Sequence, residues 1–226
     1  MASQPSVSFG VLLLPCFQLL DAVGPFDMIN SSSKEYVNLL YPPLAPKAVS
    51  YTWHYISTSG DLTPISATSG PLLQPTCTIK DCPKLDYLLI PGPDPTGPFP
   101  EETLAFIRKV SAEAKEVLTI CTGSMVLAAA GVLDGRRACT NKFALKALAA
   151  EGKHRKEVKW VTDKRWVVDG KFWTSAGITA GIDMAMEWLK DKTDPDVLQL
   201  LLDASEVVVR TADEDPYAHL LDGVKL

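Results

Sequence analysis

Cysteine is intrinsically nucleophilic, and one of the five in this 226-residue chain stands where a nucleophile is useful. Cys121 ends the apolar run Glu116-Val117-Leu118-Thr119-Ile120 and opens the small-residue segment Thr122-Gly123-Ser124, the pattern of a strand turning directly into a helix. Unpaired backbone N–H groups and the positive end of the helix dipole favour thiolate over thiol there, so the sequence predicts a pKa below the usual value of about 8.5. Gly123 relieves crowding at the sharp turn, as in nucleophile elbows. A buried structural cysteine is the alternative, and it is the reading given to Cys16, Cys77, Cys82 and Cys139.

A second candidate is Asp21, in Leu20-Asp21-Ala22-Val23-Gly24-Pro25. It could serve simply as a helix N-cap. A carboxylate beside a cysteine in a partly dry pocket would also have a raised pKa, and could hold a proton for transfer. Gly92 could add a backbone N–H to that of Thr122 in an anion-stabilising site; Pro93 has none to give, leaving Gly92 or Asp94 as the donor from that loop. The three histidines, His54, His154 and His219, lie in a strand pattern, a basic loop and the tail, so a cysteine–histidine triad is not expected. No P-loop, dinucleotide fingerprint or zinc spacing is present, and no cofactor or metal is expected.

These residues need a scaffold that brings three loops together. Val7 to Leu14 and Asp86 to Ile90 read as buried strands, as does Glu116 to Ile120. Helical spacing follows each of them, over Leu19 to Asn30, Glu101 to Val110 and Thr122 to Ala130, with Gly131 placed to end the last. Ala48 to Thr58 is a further strand, and the turn signals Gly60-Asp61 and Gly70-Pro71 imply a small hairpin before Ile79. Asn141 to Ala150 is a helix pattern. Val158 to Val161, Arg165 to Val168 and Lys171 to Thr174 are strand-like, with Asp169-Gly170 as a hairpin turn, and helices are expected over Ile182 to Lys190 and Asp196 to Arg210. This alternation predicts one α/β domain over residues 1–226, with a mainly parallel sheet, helices on both faces and added antiparallel hairpins. Function in such sheets sits in the loops at the carboxyl ends of the strands, which carry Asp21, Gly92-Pro93 and Cys121.

Composition sets the remaining bounds. With 22 Lys and Arg against 27 Asp and Glu, the net charge of -5 provides no basic field for nucleic acid, and the basic run Lys153 to Lys159 reads as a solvated loop. The apolar run Val11 to Leu14 is too short for a signal or a membrane span. The odd cysteine count and the absence of C-x-x-C fit a reducing, cytoplasmic setting.

Three segments, Leu20-Asp21-Ala22-Val23-Gly24-Pro25-Phe26-Asp27, Ile120-Cys121-Thr122-Gly123-Ser124 and Thr174-Ser175-Ala176-Gly177-Ile178-Thr179-Ala180-Gly181-Ile182-Asp183, together resemble the ThiJ/PfpI superfamily, and within it the isonitrile hydratase-like branch. The resemblance implies a flavodoxin-like three-layer sandwich, a homodimer, Cys121 as nucleophile followed by Thr122 where many members have His, Asp21 as acid, and a Gly177-Ile178 loop walling the pocket. Two departures reshape that pocket. Gly92-Pro93 stands where a Gly-Gly pair is expected, and Cys139-Thr140-Asn141-Lys142 where bacterial hydratases show Thr-Thr-His-Trp, which puts Asn141 among the substrate-facing residues.

The expectation is therefore an enzyme adding water to a small electrophile such as an isonitrile. The alternative is a redox-sensing or stress protein with an oxidisable Cys121 and no turnover. A ligand-sensing domain of a transcription regulator is a third option, disfavoured because no helix-turn-helix pattern follows Arg210.

Overall fold

The computed structural model describes residues 6–226. Strand β1 (Val7–Leu13) leads into α1 (Leu19–Ser31) and α2 (Lys34–Leu40), then a 3-10 turn over Pro42–Lys47. The middle of the chain holds β2 (Tyr51–Ser57), β3 (Ile65–Ser66), β4 (Leu72–Leu73), β5 (Cys77–Thr78) and β6 (Tyr87–Ile90). Next come α3 (Glu101–Glu113), β7 (Glu116–Thr119), α4 (Gly123–Ala129), β8 (Arg137–Ala138), α5 (Lys142–Ala150) and β9 (Lys159–Trp160). The hairpin β10 (Trp166–Asp169) and β11 (Phe172–Ser175) precedes α6 (Thr179–Lys190) and α7 (Pro195–Ser205), and a 3-10 turn spans Ala218–Leu221.

The main sheet has seven strands in the order β10-β11-β7-β6-β1-β2-β5, all parallel except β10, which pairs antiparallel with β11 at the edge. Side chains alternate between its faces with the period of two that a strand dictates. Phe9, Val11, Leu13, Leu89 and Leu118 face one layer of α1, α6 and α7 with Ile29, Met184, Trp188 and Leu201. Leu12, Leu88, Ile90 and Val117 face the other layer, where α3 and α4 contribute Phe106, Ile107, Val126 and Leu127. The result is the expected sandwich. From β1 the chain runs outward to β2 and β5, then returns to the other side of β1 with β6, so the crevice between the β1 and β6 loops is the topological switch point where such sheets bind ligands.

The expected hairpins are both present, β3 pairing with β4 and β10 with β11. Val158 to Val161 contributes no strand to the main sheet; β9 pairs instead with β8, a short strand the sequence did not signal. The helix expected through Arg210 stops at Ser205. Glu206 turns left-handed at φ +49°, and the β-branched run Val207-Val208-Val209 that follows is a poor helix former. The carboxylate of Asp183 accepts the Arg210 N–H, and Ala212 C=O accepts the Arg165 N–H, so the tail is laid against α6 and β10.

Candidate active site

The turn after β7 is a strained elbow. Cys121 has φ +58°, a left-handed conformation costing an ordinary side chain about 1–2 kcal/mol, and neighbouring bonds hold it there. Its N–H donates to Ala176 C=O at 3.0 Å, and its own C=O accepts from Thr140 Oγ1 at 3.0 Å and Ser124 Oγ at 3.2 Å. Gly123 is needed because a Cβ there would stand 2.2 Å from the Ile90 carbonyl oxygen, inside the strand beneath.

Asp21 lies in the first turn of α1, two residues beyond its start, so the N-cap reading fails; Gln18 occupies that position. The side chain is fully buried and turns toward the switch-point crevice, where Oδ2 accepts the Gly92 N–H at 3.1 Å. The Gly92 amide is thus committed to Asp21, and the anion-stabilising role expected of it is replaced by one of holding the carboxyl. No larger residue fits: a Cβ on Gly92 would lie 2.6 Å from Thr122 Oγ1 and 2.7 Å from Asp21 Oδ2. The carbonyl of Pro93, the residue that replaces the second expected glycine, accepts from Thr122 Oγ1 at 2.6 Å, leaving Thr122 to face the sulfur through its backbone amide.

Burial controls the electrostatics. It raises the Asp21 carboxyl from 3.8 to about 7, against the lowering effect of the Gly92 N–H and the Cys121 thiol. The Cys121 thiol, only 9% exposed, is pushed up to about 12, first by burial and then by the Asp21 charge, against the Thr122 amide and the Asn141 side chain. The lowered thiol pKa expected from the helix start is overturned. The seven-residue α4 offers a small dipole, and desolvation of the sulfur outweighs it.

Asn141 caps α5, its Oδ1 accepting the Ala144 N–H at 2.9 Å; this leaves the amide nitrogen for the side of Cys121, whose ionised form the Asn141 side chain favours. The same nitrogen stands 3.1 Å from where a Cβ on Gly177 would be. Asn141, Gly177 and Ile178 meet, and they line a cleft of about 380 Å³ between α5, α6 and the tail, whose wall includes Ala176, the acceptor of the Cys121 N–H, but neither Cys121 nor Asp21. The structure brings Asp21, Gly92, Pro93, Cys121, Thr122, Asn141 and Gly177 into one constellation, with Ile178 on its outer wall. The sequence did not signal Thr140, whose hydroxyl pins the elbow carbonyl, nor Lys142 and Asp215, a buried ion pair at the cleft edge.

The remaining titratable residues stand apart. A larger cleft of about 630 Å³ runs between the Pro95–Phe99 loop and the Lys153–Glu157 segment; it contains buried His154 but neither Cys121 nor Asp21. His154 is therefore packed rather than solvated. Cys16 is exposed, not buried as expected, whereas Cys77 and Cys139 are buried. Cys82 is partly exposed, and its thiol donates to Pro83 C=O at 3.4 Å. Among the described residues no cluster of three or more His, Cys, Asp or Glu could hold a metal, and no helix is long and apolar enough to cross a membrane.

Comparison with known proteins bears on the family and the fold. Isonitrile hydratase of Pseudomonas putida is 37% identical over 198 residues, 87% of this chain and 76% of that protein. The HTH-type transcriptional regulator CdhR of Pseudomonas aeruginosa is 29% identical over 90% of this chain, which spans only 55% of the regulator. Among solved structures, a ThiJ/PfpI family protein from Pseudomonas syringae superposes with a TM-score of 0.69 at 27% identity, covering 94% of this chain and 78% of that one. Drosophila melanogaster DJ-1beta, at 16% identity, has a TM-score of 0.68 over 90% of this chain and 100% of its own, a likeness of fold alone. The DJ-1/PfpI family profile matches residues 11–191, most of the sheet and both halves of the elbow site, and the chain belongs to that family, with its flavodoxin-like α/β fold.

Proposed function

We propose that the protein is a cysteine-dependent hydratase that converts an isonitrile to an N-substituted formamide. One observation carries the reading: a fully buried carboxyl that titrates at about 7 adjoins a cysteine held in a strained elbow. The 37% identity to isonitrile hydratase supports the choice of reaction. Near pH 7 both forms of Asp21 are populated, as a group that must first give and then take a proton requires.

The chemistry balances on this pair. The terminal isonitrile carbon gains a bond to Cys121 Sγ and a proton delivered through Asp21, giving a thioimidate; the thiol proton replaces the one that Asp21 donates. Asp21 passes its regained proton to the thioimidate nitrogen, and the carboxylate so formed takes a proton from water as the water oxygen adds to the thioimidate carbon. The C–S bond then breaks, the formamide leaves, and the proton returns to sulfur. Thiolate need exist only transiently, so a thiol protonated at rest is compatible with turnover. The Thr122 amide and the Asn141 side chain, the two groups that favour ionised sulfur, stabilise it during that step.

The substrate is a small molecule in this reading, with no nucleic acid bound, and the protein is a cytoplasmic homodimer. Formamide production from benzyl isonitrile, followed by NMR, tests the activity. The parent turns over, whereas Cys121→Ala and Asp21→Asn lose at least about a hundredfold. Equal rates for parent and Cys121→Ala would end the reading. Selective oxidation of Cys121 by mild peroxide, read by mass spectrometry, without turnover of any isonitrile would favour the redox alternative.

A further inference from the structure

We propose that the cleft beside Cys121 is a subsite selective for a neutral, apolar substituent on the substrate, and that the C-terminal tail is the wall that sets this selectivity. The proposal rests on the hydratase reading only for the identity of the reacting group.

By residue type alone the cleft looks made for an anion, since Lys142 and Arg165 both reach it. Neither charge is free. Lys142 Nζ is ion-paired with Asp215, their side chains only 3% and 2% exposed, and it also donates to Lys164 C=O at 2.8 Å. Arg165 is ion-paired with Asp183 from α6, both side chains buried, with Nε donating to Oδ2 at 3.0 Å. A ligand carboxylate entering this cleft would shed water and find each cation already satisfied, so burying it would go uncompensated. Apart from the uncharged Asn141 and Thr179, the rest of the lining is apolar. Phe143 from α5 and Tyr217 from the tail stand at the cleft, 73% and 58% exposed, with Ile178, Ala180 and Leu220 around them. Exposed aromatic faces beside a charge-neutralised floor fit a neutral aryl or alkyl group.

The tail supplies Asp215, Tyr217 and Leu220, and it is fixed at both ends of this short stretch. Asp215 Oδ1 accepts the Tyr217 N–H at 2.8 Å, and Leu221 is buried with Met125, Leu145 and Leu148. One residue, Asp215, therefore both neutralises Lys142 and positions the aromatic wall.

Equilibrium binding to the full-length protein by calorimetry tests this with two formamide probes, N-benzylformamide, which is neutral, and N-formylglycine, which is an anion at neutral pH. N-benzylformamide should bind at least about tenfold more tightly, the equivalent of about 1.4 kcal/mol. Tyr217→Ala and Phe143→Ala should each weaken it about fivefold or more while leaving N-formylglycine unchanged. Asp215→Asn frees the Lys142 charge and should move the preference toward N-formylglycine. Should that variant not fold, the double change Lys142→Met with Asp215→Asn keeps the floor neutral and leaves an acceptor for the Tyr217 N–H, and should retain the preference of the parent. Tighter or equal binding of N-formylglycine by the parent overturns the proposal, as does no binding of N-benzylformamide. Aromatic substitutions that leave probe affinity intact but dissociate a dimer overturn it in favour of a second copy as occupant. If the probes behave as stated while benzyl isonitrile gives no formamide, the hydratase reading falls and the subsite stands.

Discussion

Asp21→Asn should change the pH dependence of stability in a direction that few surface substitutions could imitate. The carboxyl is raised from its ordinary 3.8 to about 7 by burial, so between these values the folded protein retains a proton that the unfolded chain has released. A group with a raised folded pKa contributes stability that is complete below 3.8 and disappears as pH rises through about 7. At 1.36 kcal/mol per pH unit, the interval amounts to about 4 kcal/mol of destabilisation by pH 8 relative to pH 3.5. Asparagine carries no charge at any of these values, and its carbonyl can still accept the Gly92 N–H, so the variant escapes that penalty while keeping the contact. Urea denaturation of parent and variant at half-unit steps from pH 4 to pH 8 gives the difference curve, in which the titrating groups not coupled to Asp21 cancel. The variant should gain on the parent steadily above pH 4 and lead by about 2–4 kcal/mol at pH 8. A difference that stays flat within about 1 kcal/mol, or a variant that loses ground as pH rises, would mean that Asp21 is ionised normally in the fold and cannot be the proton carrier.

The same charge raises the Cys121 thiol, so Asp21→Asn should accelerate alkylation of Cys121 by iodoacetamide at pH 8 several-fold relative to exposed Cys16, as read by mass spectrometry; an unchanged ratio would contradict the coupling. In the parent, kcat/KM for isonitrile should follow an ionisation near pH 7 that is absent from the residual activity of Asp21→Asn, measured from pH 5 to pH 9. Gly123→Ala would place a Cβ 2.2 Å from Ile90 C=O and should destabilise the fold by about 3 kcal/mol or more in thermal unfolding; near-normal stability would show that the elbow can relax. Arg165→Met leaves buried Asp183 without its cation and should cost about 3–5 kcal/mol in urea denaturation.

The parts of the site set by backbone pattern were legible in the sequence, and those set by solvent access were not. Glu116 to Ile120 has to be a strand and Thr122-Gly123-Ser124 cannot continue it, so the position of Cys121 followed from local chemistry alone. Asp21, Gly92 and Cys121 converge because three parallel strands have their carboxyl ends at one end of the sheet, which alternation of strand and helix already implied. The ionisation of the sulfur depends on how much protein covers it, a sum over residues distant in sequence, and there the local inference from the helix start pointed the wrong way. The end of α7 could be read only by weighing Val207-Val208-Val209 against an amphipathic pattern, and the pairing of Lys142 with Asp215 spans a separation in sequence that no motif encodes.

The three buried polar pairs in and beside this site follow two opposite electrostatic plans. At Lys142–Asp215 and Arg165–Asp183 a cation meets a carboxylate, which fixes both charges and takes them out of the chemistry. At Asp21–Cys121 the two partners are both acids, and the groups around them are amides: Gly92, Thr122 and Asn141. Amides can steady a negative charge without trapping it as a counterion would, so in the hydratase reading the proton stays movable between oxygen, sulfur and a bound substrate. A lysine or arginine added beside Asp21 would return its carboxyl toward 3.8 and ease ionisation of the sulfur, yet it would strip the site of its acid at neutral pH. Such a variant should alkylate faster and turn over more slowly, an opposition of two readouts that simple damage to the pocket would not produce.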